Sequence, residues 1–212
     1  NIVTVQTPQF MRTLRGIKRA VASHQADLTT VCDENQYMMT YAMSLGKLMD
    51  SDDSIHRTYR LALSCTAEYG NIFANTAGDE IADIQAQMTI SINRVNEIYE
   101  RDLGVTLIFV ENNDELIYYG NTSDDPWNGE FNDTTQEVID NTIGNSNYDI
   151  GHNFNTSGGG DAGCIGCVCI SGQKGSGHTG SNNPVGDAFY IDYVAIVISK
   201  TYILTSFILM AL

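Results

Sequence analysis

Residues 79–111 read DEIADIQAQMTISINRVNEIYERDLGVTLIFVE, and their pattern changes period once. Over 79–101, Ile81, Ile84, Met88, Ile92, Val95 and Tyr99 recur at spacings of three and four, which places them along one stripe of a helix. Asp79 and Glu80 fall in its first turn, where the macrodipole favours negative charge, and Gly104 stands just past its end, where a left-handed stop is wanted. The run GVTLIFV that follows is β-branched, apolar and bounded by turn residues, so it predicts a buried strand over 105–111. A long amphipathic helix feeding directly into a strand argues for an α/β layer.

Weaker signals flank this unit. Upstream, TYRLALSCT (58–66) alternates in part and predicts a strand with Tyr59, Leu61 and Leu63 on one face, and EYGNIFANTAG after it reads as turn. Residues 1–56 read as a leader, with the Met, Tyr and Leu positions of QYMMTYAMSLGKLMDSDDS fitting a short helix. Downstream, TSDDPWNGEFNDTT reads as irregular loop, TQEVIDNTIG as a short helix and NYDIGHNF as a strand. NTSGGGDAGCIGCVC reads as a glycine-rich loop entering an edge strand, and SGQKGSGHTGSNNPVGD as loop again. The acidic ENNDE stretch lacks the spacing of a twelve-residue calcium loop and reads as solvated.

Composition narrows the function classes. The 212 residues carry a net charge of -15, which would repel a phosphate backbone and disfavours nucleic acid as a partner. Four basic residues between Arg12 and Arg19 read as one solvated helix face. Scarce lysine, abundant Asn, Gly, Ser, Thr and Tyr, and sequons at Asn121, Asn132 and Asn155 suggest a secreted protein. The chain opens without an initiator Met or a signal peptide, so it is expected to be a fragment. Five cysteines, Cys32, Cys65, Cys164, Cys167 and Cys169, make an odd set. CIGCVC with His178 invites a metal reading, but on a strand Cys164 would face away from Cys167 and Cys169, so disulfides or buried thiols are preferred.

Five stretches, in order and spacing, resemble the bacterial reprolysin-like zinc metallopeptidases of the metzincin group: TYRLALSCTAEYG, INRVNEIYERDLGVTLIFVENNDELIYY, NYDIGHNF, the glycine-rich segment ending GCVC, and NPVGDAFYIDYVA. The resemblance spans about 57–195. It implies an α/β domain with a twisted mixed sheet, a long backing helix and an edge strand beside the cleft. Extended peptide or protein substrates would pair with that edge, which assigns substrate binding to Gly158, Gly159, Gly160, Ala162 and Gly163. It also implies that FYIDYVA opens an active-site helix continuing directly into His-Glu-x-x-His-x-x-Gly-x-x-His, whose three imidazoles hold zinc.

The sequence departs from that pattern after Ala195. IVISKTYILTSFILMAL (196–212) contains no His, Glu or Gly, so no catalytic residue, no metal ligand and no zinc is predicted for this chain. So abrupt a change suggests a frameshift, an unspliced intron or a truncated gene model. No two of His24, His56, His152 and His178 have a spacing that shares a helix face; His152 reads as a packed histidine and His178 as a loop residue. Cys32 could be a propeptide thiol that caps zinc in a latent enzyme. The expectation is a piece of a secreted zinc endopeptidase, inactive as written, with 1–56 as the end of a propeptide. Two alternatives stand beside it: a non-catalytic peptide-binding module, and a protein anchored in a membrane by Val194–Leu212, against which Lys200 near the middle of the span weighs.

Overall fold

The computed structural model describes residues 56–202. Among these residues a five-stranded mixed sheet has the order β2-β1-β3-β5-β4. Its strands are β1 (Arg57–Cys65), β2 (Val105–Phe109), β3 (Ile150–Asn155), β4 (Gly159–Asp161) and β5 (Gly177–Gly180). All neighbours run parallel except β4, which pairs antiparallel with β5.

β1 is an inner strand between β2 and β3, and Leu61 through Cys65 are fully buried. Leu61, Leu63 and Cys65 enter the larger core and Ala62 the smaller one, as expected of a parallel strand covered on both faces. The larger core is closed by α2 (Glu80–Leu103), which buries Ile84, Met88, Ile92, Val95 and Tyr99. Ile81, assigned to the same stripe, is instead 38% exposed in the first turn. Gly104 ends the helix in the left-handed conformation at φ 62°, with its N–H donating to the Tyr99 carbonyl. β2 then stops at Phe109, short of the predicted 111, and lies at the end of the strand order, where Val105 and Leu107 are buried but Ile108 is 47% exposed, so it is not buried throughout as predicted. The other face is covered by α3 (Asn132–Thr142), with Ile139 packing on Ala62, Leu116 and Tyr148.

Three further expectations are corrected. EYGNIF, read as turn, lies in the helix α1 (Ala67–Phe73): Asp125 accepts from the Ala67 N–H at 2.7 Å and the Thr66 hydroxyl accepts from Tyr69 N–H. GHTG, read as loop, is the inner strand β5, so His178 is a strand residue. ENNDE is not a solvated loop throughout, since Asn113–Leu116 form a 3-10 turn whose Asn113 and Leu116 are buried.

Asn113 completes the sheet with its side chain. Its Oδ1 accepts from Leu63 N–H at 2.9 Å and its Nδ2 donates to the Leu63 carbonyl at 3.0 Å, past the last β1–β2 pair at Leu61 and Phe109. Removing the amide strands a buried backbone donor and acceptor, so Asn113→Ala is expected to cost about 1–3 kcal/mol in urea unfolding. Asn113→Asp, which cannot donate to the Leu63 carbonyl, should be no better; a variant within experimental error of the parent would refute this pairing role.

Candidate functional site

The edge strand β4 meets a helical segment at one end of the sheet. β4 is last in the strand order, so among the described residues only its β5 side is occupied by a sheet partner. Across it runs a helical segment, 187–202, built from Asp187–Phe189, a π-helical turn Tyr190–Ala195 and the α-helix Ile196–Tyr202. FYIDYVA thus opens a helix, as expected. Arg94 fixes the start with two bonds of 2.9 Å to the Asp187 carboxylate, and Gln87 Nε2 donates to the Tyr190 hydroxyl. Tyr99, whose hydroxyl pKa is pushed up by burial, donates to the Ala195 carbonyl at 2.5 Å.

The helix does not stop at Ala195. Ile196–Tyr202 is helical, with Val197 and Ile198 buried and Ile198 in the core. Residues 203–212 lie outside the described residues, as does Cys32.

The predicted peptide-contacting residues fall around β4. Gly159 and Gly160 are on the strand; Gly158, at φ 86°, leads into it. Ala162 is buried just beyond, and Gly163, at φ 67°, turns the chain with its N–H donating to Asp161 at 2.8 Å. Gly160 has no room for a side chain, because a Cβ there would stand 2.9 Å from both Val197 Cγ2 and the His178 carbonyl oxygen. The edge strand and the helix are therefore in direct contact.

That contact decides the fit to zinc. A motif continuing directly after Ala195 would set imidazoles at 196 and 200, one turn apart on one face, with the carboxylate at 197. The chain has Ile196 and Lys200 there, and Val197 is buried. Among the described residues no three His, Cys, Asp or Glu side chains are grouped to hold a metal ion, so the residues present do not fit zinc. His152 and His178 do not rebuild a site. The register pairs His152 with Gly177 and Asn153 with His178, which sends the two rings to opposite faces. His152 Nε2 lies 2.8 Å from Thr179 Oγ1, and burial lowers its pKa to about 3. His178 stacks on Phe131 at 5.0 Å, and burial also lowers its pKa.

CIGCVC is a turn, not the strand on which its cysteines were placed by sequence. Cys164 and Cys167 are joined as a disulfide and Cys169 is disulfide-bonded as well, which removes these sulfurs as metal ligands. Cys65 is a free buried thiol whose pKa is pushed up to about 12 by desolvation. Sequence reasoning did not find the role of this turn: Gly166 N–H donates to the Lys200 carbonyl at 3.0 Å and Val168 N–H to the Thr201 carbonyl at 3.2 Å, so it is tied to the helix Ile196–Tyr202.

No curated protein matches the chain. The family model described as Metallo-peptidase family M12B Reprolysin-like matches residues 85–196, just over half of the sequence, from within α2 to the first residue after Ala195. With the mixed sheet, the long backing helix and an edge strand lying against the final helix, this places the chain in the reprolysin-like metallopeptidase family M12B.

Proposed function

We propose that residues 57–195 are the N-terminal part of a secreted zinc-endopeptidase domain of the bacterial, metzincin type, that 1–56 are the end of its propeptide, and that this chain neither holds zinc in the cleft nor cleaves peptide bonds. Peptidases of this family act on peptides or proteins and are zinc-dependent in general. The observation that carries the reading is the packing of Val197 against Gly160, flanked by Ile196 and Lys200, where the motif's Glu and first two His would stand. Without imidazoles, neither the metal nor a metal-activated water is held.

The test is metal analysis after dialysis, run beside a variant carrying Ile196→His, Val197→Glu, Lys200→His, Ile203→Gly and Ser206→His within a completed domain. The expected result is no stoichiometric zinc and no chelator-sensitive peptide cleavage in the unmodified protein, with both gained in the restored one. One zinc per chain with cleavage in the unmodified protein would overturn the reading.

A peptide-binding module is the second reading, favoured by the end position of β4 in the sheet and by the exposure of Gly159 and Gly160 among the described residues. It requires retained binding of an extended peptide without turnover. A His-Glu-x-x-His motif encoded in another frame, or behind an intron, beyond the codon for Ala195 would count against it. A membrane anchor over 194–212 would have to withdraw Val194, Ala195 and Ile198 from the core. Among the described residues no helix is long and apolar enough to cross a membrane.

A further inference from the structure

The disulfide in the CIGCVC turn lies beside a cavity that the peptidase reading leaves unused. The cavity is about 580 Å³ and open to solvent, with Cys164 and Gln173 on one wall and Asp133, Gln136, Glu137 and Asp140 of α3 on the other. The two sulfurs are unequal: Cys167 is 1% exposed, whereas Cys164 is accessible on the cavity side. Asp133 and Glu137 are exposed. Asp140 is already bonded to Gln136, Asn145 and Tyr148. The nearby cation Lys174 does not neutralise the wall from the cavity side, because it is 3% exposed and its Nζ donates to the Asn145 and Tyr148 carbonyls.

We propose that the Cys164–Cys167 disulfide is a thiol–disulfide exchange site, entered through this acidic cavity at the Cys164 sulfur and selective for aminothiols over anionic thiols. The thiolate sulfur of the incoming molecule bonds to Cys164 Sγ as the Cys164–Cys167 bond breaks. The electron pair leaves on Cys167 Sγ, which takes a proton from water. Gln173 Oε1, 3.4 Å from Cys167 Sγ and 3.2 Å from Cys164 Sγ, is placed to accept a hydrogen bond from the thiol that forms. The product is a mixed disulfide on Cys164 and a free Cys167 thiol, with no net change of oxidation state. A second thiol attacking the mixed disulfide releases the small-molecule disulfide, leaving two protein thiols and two thiols oxidised to one disulfide.

Charge sets the preference. As thiolates, cysteamine carries no net charge, 2-mercaptoethanol one negative charge and glutathione two, and the carboxylate wall repels them in that order. Because the turn donates to the Lys200 and Thr201 carbonyls, exchange also acts on the helix Ile196–Tyr202.

The experiment exposes the intact oxidised protein to each thiol at matched thiolate concentration and low salt, quenches with acid, and maps the adducts by peptide mass spectrometry. Cysteamine is expected to modify Cys164 first, about tenfold faster than glutathione. The ratio should collapse in high salt and in an Asp133→Asn, Glu137→Gln variant that alters only exposed side chains. Amide exchange at Gly166 and Val168 should accelerate once the bond is opened. A bond that resists exchange until the chain unfolds, equal rates for the three thiols, or a preference that survives in the charge variant overturns the proposal.

Discussion

Replacing Phe154 by alanine is expected to lower the unfolding free energy by about 3–5 kcal/mol, the range for deleting a large aromatic ring from a core that relaxes only in part. Phe154 is fully buried on the central strand β3. Its ring meets Tyr69 of α1 at 5.4 Å, Phe189 of the final helical segment at 5.2 Å and His152 on its own strand at 6.0 Å. Its carbonyl accepts the Thr66 N–H at 3.0 Å, where the chain passes from β1 into α1. One side chain thus joins the sheet to two helices, and edge-to-face ring pairs add about 0.5–1.5 kcal/mol each beyond area burial. Domains of this size are stable by only about 5–15 kcal/mol, so the variant should show a large drop in urea midpoint, read through the single tryptophan, Trp127. Phe154→Leu, which keeps most of the volume, should lose far less. A loss under about 1 kcal/mol for alanine would mean that the three elements are not held through this ring.

How much of this was legible in the sequence depended on how each element is stabilised. α2 was legible because its burial follows one helical stripe and a glycine stops it; Ile81 failed only because the first turn projects beyond what the core covers. β5 was not legible, because its residues are chosen by what crowds them. A Cβ at Gly177 would stand 2.7 Å from His152 Nδ1, and one at Gly180 would collide with the Asn155 amide. Two of the four residues of an inner strand are therefore glycines, and propensity reads them as loop. α1 was hidden for a related reason, since Gly70 sits where the Tyr118 backbone passes too close for a side chain. At the site, the edge strand and the opening of the final helix followed from the family resemblance, and the family match ends at Ile196, next to the predicted boundary. The helical state of Ile196–Tyr202 did not follow, because Ile, Val and Thr there favour a strand in isolation. The preceding helical turns and the burial of Val197 and Ile198 override that preference.

Acid should unfold this protein largely through one imidazole. Burial, with a smaller contribution from His178, lowers the His152 pKa to about 3, against about 6.5 in an unfolded chain. Between those values the unfolded state binds a proton that the folded state refuses, so stability falls as pH drops through the window from about 6.5 to about 3 and is unaffected by this group above it. At about 1.4 kcal/mol per unit, the full window amounts to roughly 5 kcal/mol, comparable to the whole stability of a small domain. The structure makes the refusal intelligible. Nδ1 is buried without a hydrogen-bond partner, Nε2 meets only the Thr179 hydroxyl, and no carboxylate acts among the causes of the shift. His178, also lowered by burial, adds a contribution of the same sign, while Asp125, whose pKa burial raises, acts in the opposite direction over the carboxylate range. His152→Gln keeps a polar group of similar reach opposite Thr179 but cannot titrate. Urea midpoints of both proteins between pH 7 and pH 4 should show the parent losing stability with a slope near one proton more than the variant. If His152→Gln keeps the full slope, the acid sensitivity lies elsewhere and the buried imidazole is not its source.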